Sequence, residues 1–238
     1  MILAVCSGKG GVGKSTLTYE LAGALDALAV DADLGMADLP RGRGPDLHDV
    51  LAGRAAPAEA VRGGPVDVLQ CGRSLSGARA VDLGDLAAVV AAVTEDRDAI
   101  LDCPPGLRAD VGVPLALADA CLLVTSTRRW ALADAIRTRA VARDVDAGLA
   151  AVAVSRADTA GDTSTDPPVA VVREVLSAPT TVVPESSLLS DLSSGGPPVV
   201  DRAPDSDAAA AIRDLAETIR ACRPYHDSDC RHTVGHEC

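Results

Sequence analysis

The stretch that decides the fold of this chain is Gly8-Lys9-Gly10-Gly11-Val12-Gly13-Lys14-Ser15-Thr16. It contains the spacing G-x-x-x-x-G-K-[ST], follows an apolar run over residues 2–6, and opens a segment of helical period over residues 14–25. Glycines allow the backbone to curl so that its N–H groups point inward, and the first turn of a helix adds positive charge there. The sequence therefore predicts a strand, a phosphate-cradling loop and a helix in succession.

Two side chains of this loop are predicted to hold a nucleoside triphosphate and its metal ion. Lys14 should meet the β- and γ-phosphates of ATP, and the hydroxyl of Ser15 should ligate Mg²⁺. Lys9 and Lys14 are the only lysines in the chain, which otherwise uses arginine for permanent positive charge. Because a planar guanidinium does not replace a phosphate-binding ammonium conservatively, this usage favours a functional need for lysine at both positions.

Short apolar runs alternate with longer segments of helical period along most of the 238 residues. This alternation predicts an α/β fold, with a doubly wound, mainly parallel sheet and helices on both of its faces. The candidate strands are residues 2–6, 27–31, 66–71, 99–102, 121–125, 150–155, 169–172 and 180–183. The candidate helices are residues 14–25, 46–51, 58–62, 82–94, 131–144 and 207–222.

Carboxylates follow two of the candidate strands at the sheet edge where ligands bind in open α/β folds. Asp31 and Asp33 close the second strand, and side-chain alternation places both on one face. Asp102 closes an apolar run and is followed by the rigid turn Cys103-Pro104-Pro105-Gly106. An aspartate in that position, downstream of a phosphate loop, is typical of the residue that holds Mg²⁺ in nucleotide-hydrolysing proteins.

The additional lysine in Lys9-Gly10-Gly11-Val12-Gly13-Lys14-Ser15-Thr16 and the turn after Asp102 are similar to features of one known family. The chain resembles the deviant Walker A group of P-loop ATPases, the MinD/ParA family, and its MinD-like members in particular. The resemblance extends to about residue 222 and implies a P-loop NTPase fold, ATP as the nucleotide, and a homodimer that sandwiches it. In that family the lysine corresponding to Lys9 reaches across the dimer to the partner's phosphates, where it offsets charge in the transition state.

The resemblance also implies roles for the acidic residues and the turn. Asp33 corresponds to the switch residue that orients the attacking water, and Asp31 to a residue beside the Mg²⁺ shell and the dimer contact. Asp102 corresponds to the residue that holds Mg²⁺ through water, and Gly106 to one whose backbone N–H meets the γ-phosphate. The catalytic candidates are Lys9, Lys14 and Asp33.

A further part of the resemblance concerns the nucleotide base. The family has Asn-Arg where this chain has Ser155-Arg156, and a hydroxyl donates and accepts less rigidly than an amide, so base affinity and base choice stay open. Val183-Pro184-Glu185 resembles the family's loop beside adenine. The nucleotide-binding candidates are Gly8, Gly10, Gly11, Val12, Gly13, Lys14, Ser15, Thr16, Asp31, Gly106, Ser155, Arg156, Pro184 and Glu185.

The charge of the chain restricts its partners. A formal net charge of −12 and a pI of about 4.7 disfavour direct binding to DNA or to an anionic membrane. Acidic residues spread along a lysine-poor chain also resemble those of proteins from salt-loving cells, where surface charge supports solubility. A stability that did not depend on salt would count against this halophile-like interpretation.

The sequence predicts a cytoplasmic protein. No apolar run approaches the roughly 18 residues that cross a bilayer, so no integral membrane segment is expected. The first residues run directly into a strand, without a basic region or cleavage site, and the seven cysteines are interpreted as thiols. The narrow apolar stripe and mixed charges of residues 207–222 favour a helix that closes the domain over one that lies on a membrane. A peripheral membrane location through a partner stays open.

The chain changes character after residue 222. Residues 1–222 are expected to form one ATPase domain, and residues 223–238 a flexible polar tail that contains cysteine and histidine. These side chains are ligand types for Zn²⁺, and a tetrahedral site needs four of them. The zinc candidates are Cys222, His226, Cys230, His232, His236 and Cys238. Their spacing matches no familiar zinc finger, so a tail without metal is the favoured interpretation.

Three functional hypotheses follow from these observations. The first is a MinD/ParA-like switch that hydrolyses ATP slowly, is stimulated by an unidentified activating or cargo protein, and positions or partitions a cargo, as in cell division. The second is a nucleotide-sensing regulator whose output is a protein contact and whose hydrolysis is incidental. The third is a metal or cluster carrier that uses the tail, although the chain has no C-x-x-C pair.

Overall fold

The computed structural model describes residues 1–72, 83–106, 109–157, 169–190, 192 and 195–222. The strands are β1 Ile2–Cys6, β2 Leu28–Asp31, β3 Val61–Arg62, β4 Val68–Leu69, β5 Ala99–Asp102, β6 Ala120–Thr125, β7 Gly148–Ala157 and β8 Thr180–Pro184. The helices are α1 Lys14–Leu25, α2 Leu47–Leu51, α3 Pro57–Ala60, α4 Leu83–Val93, α5 Ala109–Ala116, α6 Arg129–Asp144, α7 Val169–Leu176, α8 Val199–Arg202 and α9 Asp207–Ala221. A 3₁₀ turn lies at Ser187–Leu189.

The strands form one sheet in the order β3-β4-β2-β5-β1-β6-β7-β8. Each pairing between neighbours is parallel except the one between β3 and β4 at the sheet edge. Strands β1 and β5 are neighbours, but their connections run in opposite directions. The connection after β1 leads to β2, toward the β3 edge of the sheet, whereas the connection after β5 leads to β6, toward the β8 edge. The carboxyl ends of β1 and β5 therefore form the topological switch point, where ligands bind in open α/β sheets. The predicted α/β fold is confirmed.

Alternate residues of the central strands supply the two faces of the sheet. Leu3 and Val5 of β1 pack with α1 and α9 on one face, whereas Ala4 and Cys6 pack with α5, α6 and α7 on the other. Near-continuous burial of β1, β5 and β6 explains their apolar sequences, because both faces of a parallel sheet are covered by helices. A third apolar cluster lies between β2, β4 and β5 and the helices α2 and α4.

Three of the sequence-based assignments are wrong. Residues 169–172 were expected to form a strand, but they open the helix α7, whose Val172 and Leu176 are buried one turn apart. Residues 58–62 were expected to be helical, but the helix ends at residue 60 and the last two residues form the edge strand β3. The strand expected over residues 66–71 is confined to Val68–Leu69.

The last described helix, α9, closes the domain. It packs on α1, α8, β7 and β8, and Ile212, Leu215 and Ile219 on its inner stripe are fully buried. Its first turn is capped by Ser206, whose hydroxyl accepts the backbone N–H of Ala209 at 3.1 Å. No helix among the described residues is long and apolar enough to cross a membrane.

Candidate functional site

The phosphate loop lies at the switch point and is shaped by its glycines. Gly13 caps α1 in the left-handed conformation, with φ 89° and ψ 18°, which places the first turn of the helix at the mouth of the loop. Residue 8 must be glycine for a different reason, since a Cβ atom there would lie 2.4 Å from Cβ of Asp134 on α6. The loop is therefore fixed between the helix that it opens and a helix from the far half of the chain.

A cavity of about 250 Å³ lies within the curl of the loop. It is lined by Ser7, Lys9, Gly10, Gly11, Gly13, Lys14, Ser15, Thr16, Asp38, Pro105, Arg156 and Leu192. Most of the predicted phosphate-binding residues thus face one space. Asp38 and Leu192 are lining residues that the motif did not indicate, since both come from distant connections.

Lys14 makes the central ion pair of the site. Its ammonium lies 2.5 Å from Oδ1 of Asp102, and the two side chains are 8% and 0% exposed. The hydroxyl of Thr18, one helical turn beyond Lys14, donates to the same Oδ1 at 3.3 Å. Thr18 is a site residue that the loop motif missed, although helical period alone places it beside Lys14.

Three carboxyl groups surround this one ammonium. Burial alone would lower the pKa of Lys14, but the charge and hydrogen bond of Asp102 raise it overall. Burial raises the pKa of Asp102, against the opposing effect of Lys14, and burial raises the pKa of Asp33 as well. Burial also raises the pKa of Asp31 well above its usual range, and the neighbouring Asp102 adds to that shift. The site therefore has an excess of negative charge that a cation would relieve.

The acidic oxygens fit a magnesium ion. Asp31 and Asp102 are register partners on the adjacent strands β2 and β5, and both are fully buried. Oδ1 of Asp31 and Oδ2 of Asp102 have no hydrogen-bond partner within the described ranges. The hydroxyl of Ser15 lies beside the carboxyl group of Asp102 and acts to lower its pKa. A hard cation such as Mg²⁺ prefers oxygen ligands of this kind, directly or through water.

Asp33 lies in the turn after β2 and is held by backbone amides. Its Oδ1 accepts the N–H groups of Gly35 at 3.2 Å and Met36 at 3.0 Å. Neither amide contacts Oδ2, which leaves the second oxygen for another donor. The following residue is tethered in turn, because Nε2 of His48 lies 3.2 Å from the carbonyl oxygen of Leu34.

Gly106 adopts a left-handed conformation with φ 98° at the turn after β5. Its backbone N–H donates to the carbonyl oxygen of Ser7 at 3.0 Å. The turn after the Asp102 strand is thereby joined to the start of the phosphate loop. A contact between this N–H and a γ-phosphate requires that the bond to Ser7 opens.

The residues expected beside the nucleotide base lie around a second cavity, of about 420 Å³, next to the phosphate loop. Ser155, Arg156, Pro184 and Glu185 all line it, together with Gly13 and Thr16 of the loop and α1. Arg156 has φ 54°, a left-handed conformation that is uncommon for a residue other than glycine, at a register shift in β7. Arg156 lines both this cavity and the phosphate cavity, so it lies where the two meet.

The second lysine of the loop has a different environment from the first. Lys9 is exposed, and its ammonium lies 3.9 Å from the centroid of the Trp130 ring at the start of α6. No sequence signal links these residues, which are far apart in the chain. A cavity of about 390 Å³ lies beside them and is lined by Gly10, Gly11, Trp130 and Arg156 among others.

The zinc candidates of the tail fall mostly outside the described residues. His226, Cys230, His232, His236 and Cys238 lie beyond residue 222. Cys222 is described, is exposed, and donates its Sγ–H to the carbonyl oxygen of Ala150 at 3.5 Å. Within the described part of the chain, no group of three or more His, Cys, Asp or Glu side chains is arranged to hold a metal ion.

The parallel sheet, the glycine-rich loop between β1 and α1, and the lysine inside its curl define a P-loop nucleotide-binding protein. Residues 3–219 match the CobQ/CobB/MinD/ParA nucleotide-binding domain, and the chain belongs to that family. The resemblance drawn from the loop and the turn after Asp102 is therefore confirmed.

Individual relatives are similar over nearly the whole chain. An uncharacterized ATP-binding protein of Methanocaldococcus jannaschii is 32% identical over 231 residues, which cover 91% of this chain and 86% of that protein. The cell division ATPase MinD of Pyrococcus furiosus has a TM-score of 0.84 at 28% identity, covering 93% of this chain and 99% of its own. The septum site-determining protein MinD of Pyrococcus horikoshii, complexed with Mg-ADP, has a TM-score of 0.82 at 28% identity, with coverage of 92% and 95%.

Proposed function

We propose that this chain is an ATPase switch that forms a homodimer around ATP and Mg²⁺ and separates after hydrolysis. The observation that carries this proposal is the contrast between two lysines in one loop. Lys14 is buried against Asp102 inside the chain's own phosphate cavity, whereas Lys9 is exposed and has no carboxylate partner among the described residues. An exposed second ammonium beside the phosphates is suited to act on the site of another copy.

Nucleotide binding rearranges the ion pair. The inward N–H groups of the loop and the first turn of α1 bind the phosphates, and Lys14 exchanges the carboxylate of Asp102 for the β- and γ-phosphate oxygens. Ser15 and, through water, Asp102 would hold Mg²⁺, with Asp31 as a further negative charge nearby. When bound, this ion neutralises charge on the phosphate oxygens. Ser155, Arg156, Pro184 and Glu185 contact the base side of the nucleotide.

Hydrolysis depends on the turn after β2. Asp33 is fixed through Oδ1 by two backbone amides, so its Oδ2, which has no donor among the described residues, can accept a hydrogen bond from the attacking water and orient it toward the γ-phosphate. Lys9 of one copy offsets the charge that develops on the phosphoryl group of the other. After the γ-phosphate leaves, the N–H of Gly106 returns to the carbonyl oxygen of Ser7, and the dimer contact is lost.

A switch of this kind turns over slowly until a partner stimulates it. We infer that the partner is an activating or cargo protein, and that any membrane location is peripheral and depends on it. The residues 1–222 are proposed to form the whole ATPase unit. The relatives named for cell division and septum placement support a positioning role.

The deciding experiment is the molar mass in solution, measured by light scattering in high-salt buffer with ADP and then with ATP and Mg²⁺. The wild-type chain is expected to be a monomer with ADP and a transient dimer with ATP. Asp33→Ala should accumulate the dimer because it binds ATP without hydrolysing it. If the mass of Asp33→Ala is the same with both nucleotides, the switch mechanism is wrong.

Two further variants distinguish ATP binding from dimerisation and show which of these steps is wrong if the expected dimer is not observed. Lys9→Ala should bind ATP with unchanged affinity but stay monomeric, because its own phosphate cavity keeps Lys14. Lys14→Ala should lose ATP binding and therefore dimerisation. A Lys9→Ala chain that forms dimers and hydrolyses ATP at the parent rate would leave a nucleotide-sensing regulator as the better description.

A further inference from the structure

The exposed lysine of the phosphate loop is held by an aromatic ring of its own chain. The ammonium of Lys9 lies 3.9 Å from the centroid of the Trp130 indole, well within the 6 Å at which a cation is attracted to an aromatic face. Trp130 is 42% exposed, so it lies at the surface and not in the core. The guanidinium of Arg128 lies 6.0 Å from the same centroid. The indole is therefore a binding surface for cations beside the phosphate loop.

The spacing between Lys9 and Trp130 is set by rigid contacts on both sides. Gly8, next to Lys9, is packed directly on Asp134, which lies one helical turn beyond Trp130 on α6. The start of α6 is tied to β6 because the hydroxyl of Thr125 donates to the carbonyl oxygen of Ala131 at 3.3 Å. Loop and helix therefore move little relative to each other, and the long side chain of Lys9 is the part that can relocate.

We propose that Trp130 is a positioning residue that retains Lys9 in its own chain until ATP-driven dimerisation draws the ammonium into the partner's site. This inference rests on the proposed function, because only a lysine that acts in trans needs to be released. The ring competes with the partner's phosphates for one cation. A cation–π contact at an exposed site is weak, but each dimer releases two of them, so the release should change the dimerisation constant by about five- to thirtyfold.

The chain supplies its own probe, since Trp130 is its single tryptophan. A positive charge against the indole face alters the emission of the ring. In ADP, where the chain is monomeric, Lys9→Ala is expected to change the emission spectrum relative to wild type. In ATP and Mg²⁺, the Asp33→Ala variant should shift toward the spectrum of Asp33→Ala/Lys9→Ala, because its lysine has left the ring.

The two proposals fail in different ways in this experiment. If light scattering shows no dimer with ATP, the proposed function is wrong, whereas the contact in cis is still tested by the effect of Lys9→Ala on the monomer. If Lys9→Ala leaves the emission of the monomer unchanged, Trp130 does not hold the lysine. If the dimer forms without any change in emission, the lysine is not released from the ring, and the inference is overturned.

A second measurement separates retention from a merely structural effect. In the Asp33→Ala background with ATP, Trp130→Leu should lower the protein concentration for half-dimerisation by about five- to thirtyfold, since neither lysine of the dimer has to leave a ring. Trp130→Phe keeps a weaker aromatic face and should fall between the two. Ile136→Ala, at another exposed apolar residue of α6, is the control and should match the parent. Weaker dimerisation in Trp130→Leu would instead assign the ring to the dimer interface and overturn the proposal.

Discussion

The ammonium nitrogen of Lys14 lies 2.5 Å from Oδ1 of Asp102, and this pair occupies the point where β1 and β5 end side by side. Two residues assigned to different ligands, a phosphate and a metal ion, thus also form an ion pair with each other. The stability of the chain without nucleotide and its affinity for ATP therefore depend on the same atoms.

The first prediction concerns the removal of one partner from this pair. Lys14→Met leaves Asp102 buried without its counter-charge, and we expect the free energy of unfolding to fall by about 3 kcal/mol in the absence of nucleotide. The double variant Lys14→Met/Asp102→Asn should lose less than the two single variants together, because it leaves no unpaired charge. Urea unfolding of the four chains measures this cycle. Strictly additive losses would show that the pair does not couple.

The second prediction concerns the pH dependence of stability and Asp31. Burial raises the pKa of Asp31 in the folded chain well above the value of about 4 that it has in the unfolded chain. The contribution of this group is fully present below the unfolded pKa and is lost as the pH rises through the folded pKa, because the folded chain must then ionise a buried group. Asp31→Asn should therefore be more stable than wild type at pH 8, by about 1 kcal/mol.

Thermal unfolding between pH 4 and pH 8, with EDTA and without nucleotide, tests this expectation. At pH 8 the midpoint of Asp31→Asn should be higher by about 2–4 °C, and the difference should disappear as the pH approaches 4. A difference that stays constant with pH would mean that the titration of Asp31 is not its source. The gain in stability should come with a loss of Mg²⁺-dependent hydrolysis, as expected for a carboxylate kept for function.

The core strands could be predicted from sequence for a simple physical reason. Strands β1 and β5 are unbroken apolar runs that end at turn residues, and their predicted bounds match those observed. The run Val169-Ala170-Val171-Val172 looks the same over four residues, but the buried positions Val172 and Leu176 follow a helical period that becomes visible only when the segment is read further. Helix α5 was not predicted, because it contains Pro114, a residue that is unfavourable inside helices.

In the candidate site, too, the parts formed by neighbouring residues of the sequence could be predicted, and the contacts between distant segments could not. Its phosphate loop was predictable because the glycines and lysines act within nine consecutive residues. The contacts of Lys9 with Trp130 and of His48 with Leu34 were not, because they depend on how distant segments fold onto one another. The left-handed conformation of Arg156 could not be predicted from the sequence either, since it coincides with a register shift between β7 and β8.

The third prediction concerns the contact of His48 with Leu34, which holds the turn after β2 that carries Asp33. Nε2 of His48 lies 3.2 Å from the carbonyl oxygen of Leu34 and 3.3 Å from Sγ of Cys71, and the imidazole is 4% exposed. Because Leu34 follows Asp33 directly, His48→Ala should loosen the residue that orients water. We expect kcat for ATP hydrolysis to fall by about tenfold, with little change in ATP affinity, and stability to fall by about 1–3 kcal/mol.

The matched variant for this test is His48→Gln, whose amide N–H reaches a similar point and should restore most of kcat. Gly72→Ala supplies an independent check, because a Cβ atom there would lie 2.0 Å from Nδ1 of His48 and must displace the ring. It should therefore behave like His48→Ala. Assays of phosphate release measure kcat, and equilibrium ATP binding measures the affinity separately. An equal loss of kcat in the alanine and glutamine variants would show that the contact of His48 with Leu34 does not contribute to hydrolysis.

The last prediction concerns the seat of the phosphate loop on α6. A methyl group at residue 8 would lie 2.4 Å from Cβ of Asp134 and 2.8–2.9 Å from its backbone, and neither can yield without moving the helix. Gly8→Ala should therefore shift the loop, destabilise the chain by about 1–3 kcal/mol and weaken ATP binding by an order of magnitude or more.

The control is Gly112→Ala in α5, where a new methyl group meets open space and should raise stability by up to about 1 kcal/mol. Calorimetric titration with ATP and thermal unfolding measure both variants. If Gly8→Ala binds ATP as tightly as Gly112→Ala does, the loop does not depend on α6 for its shape.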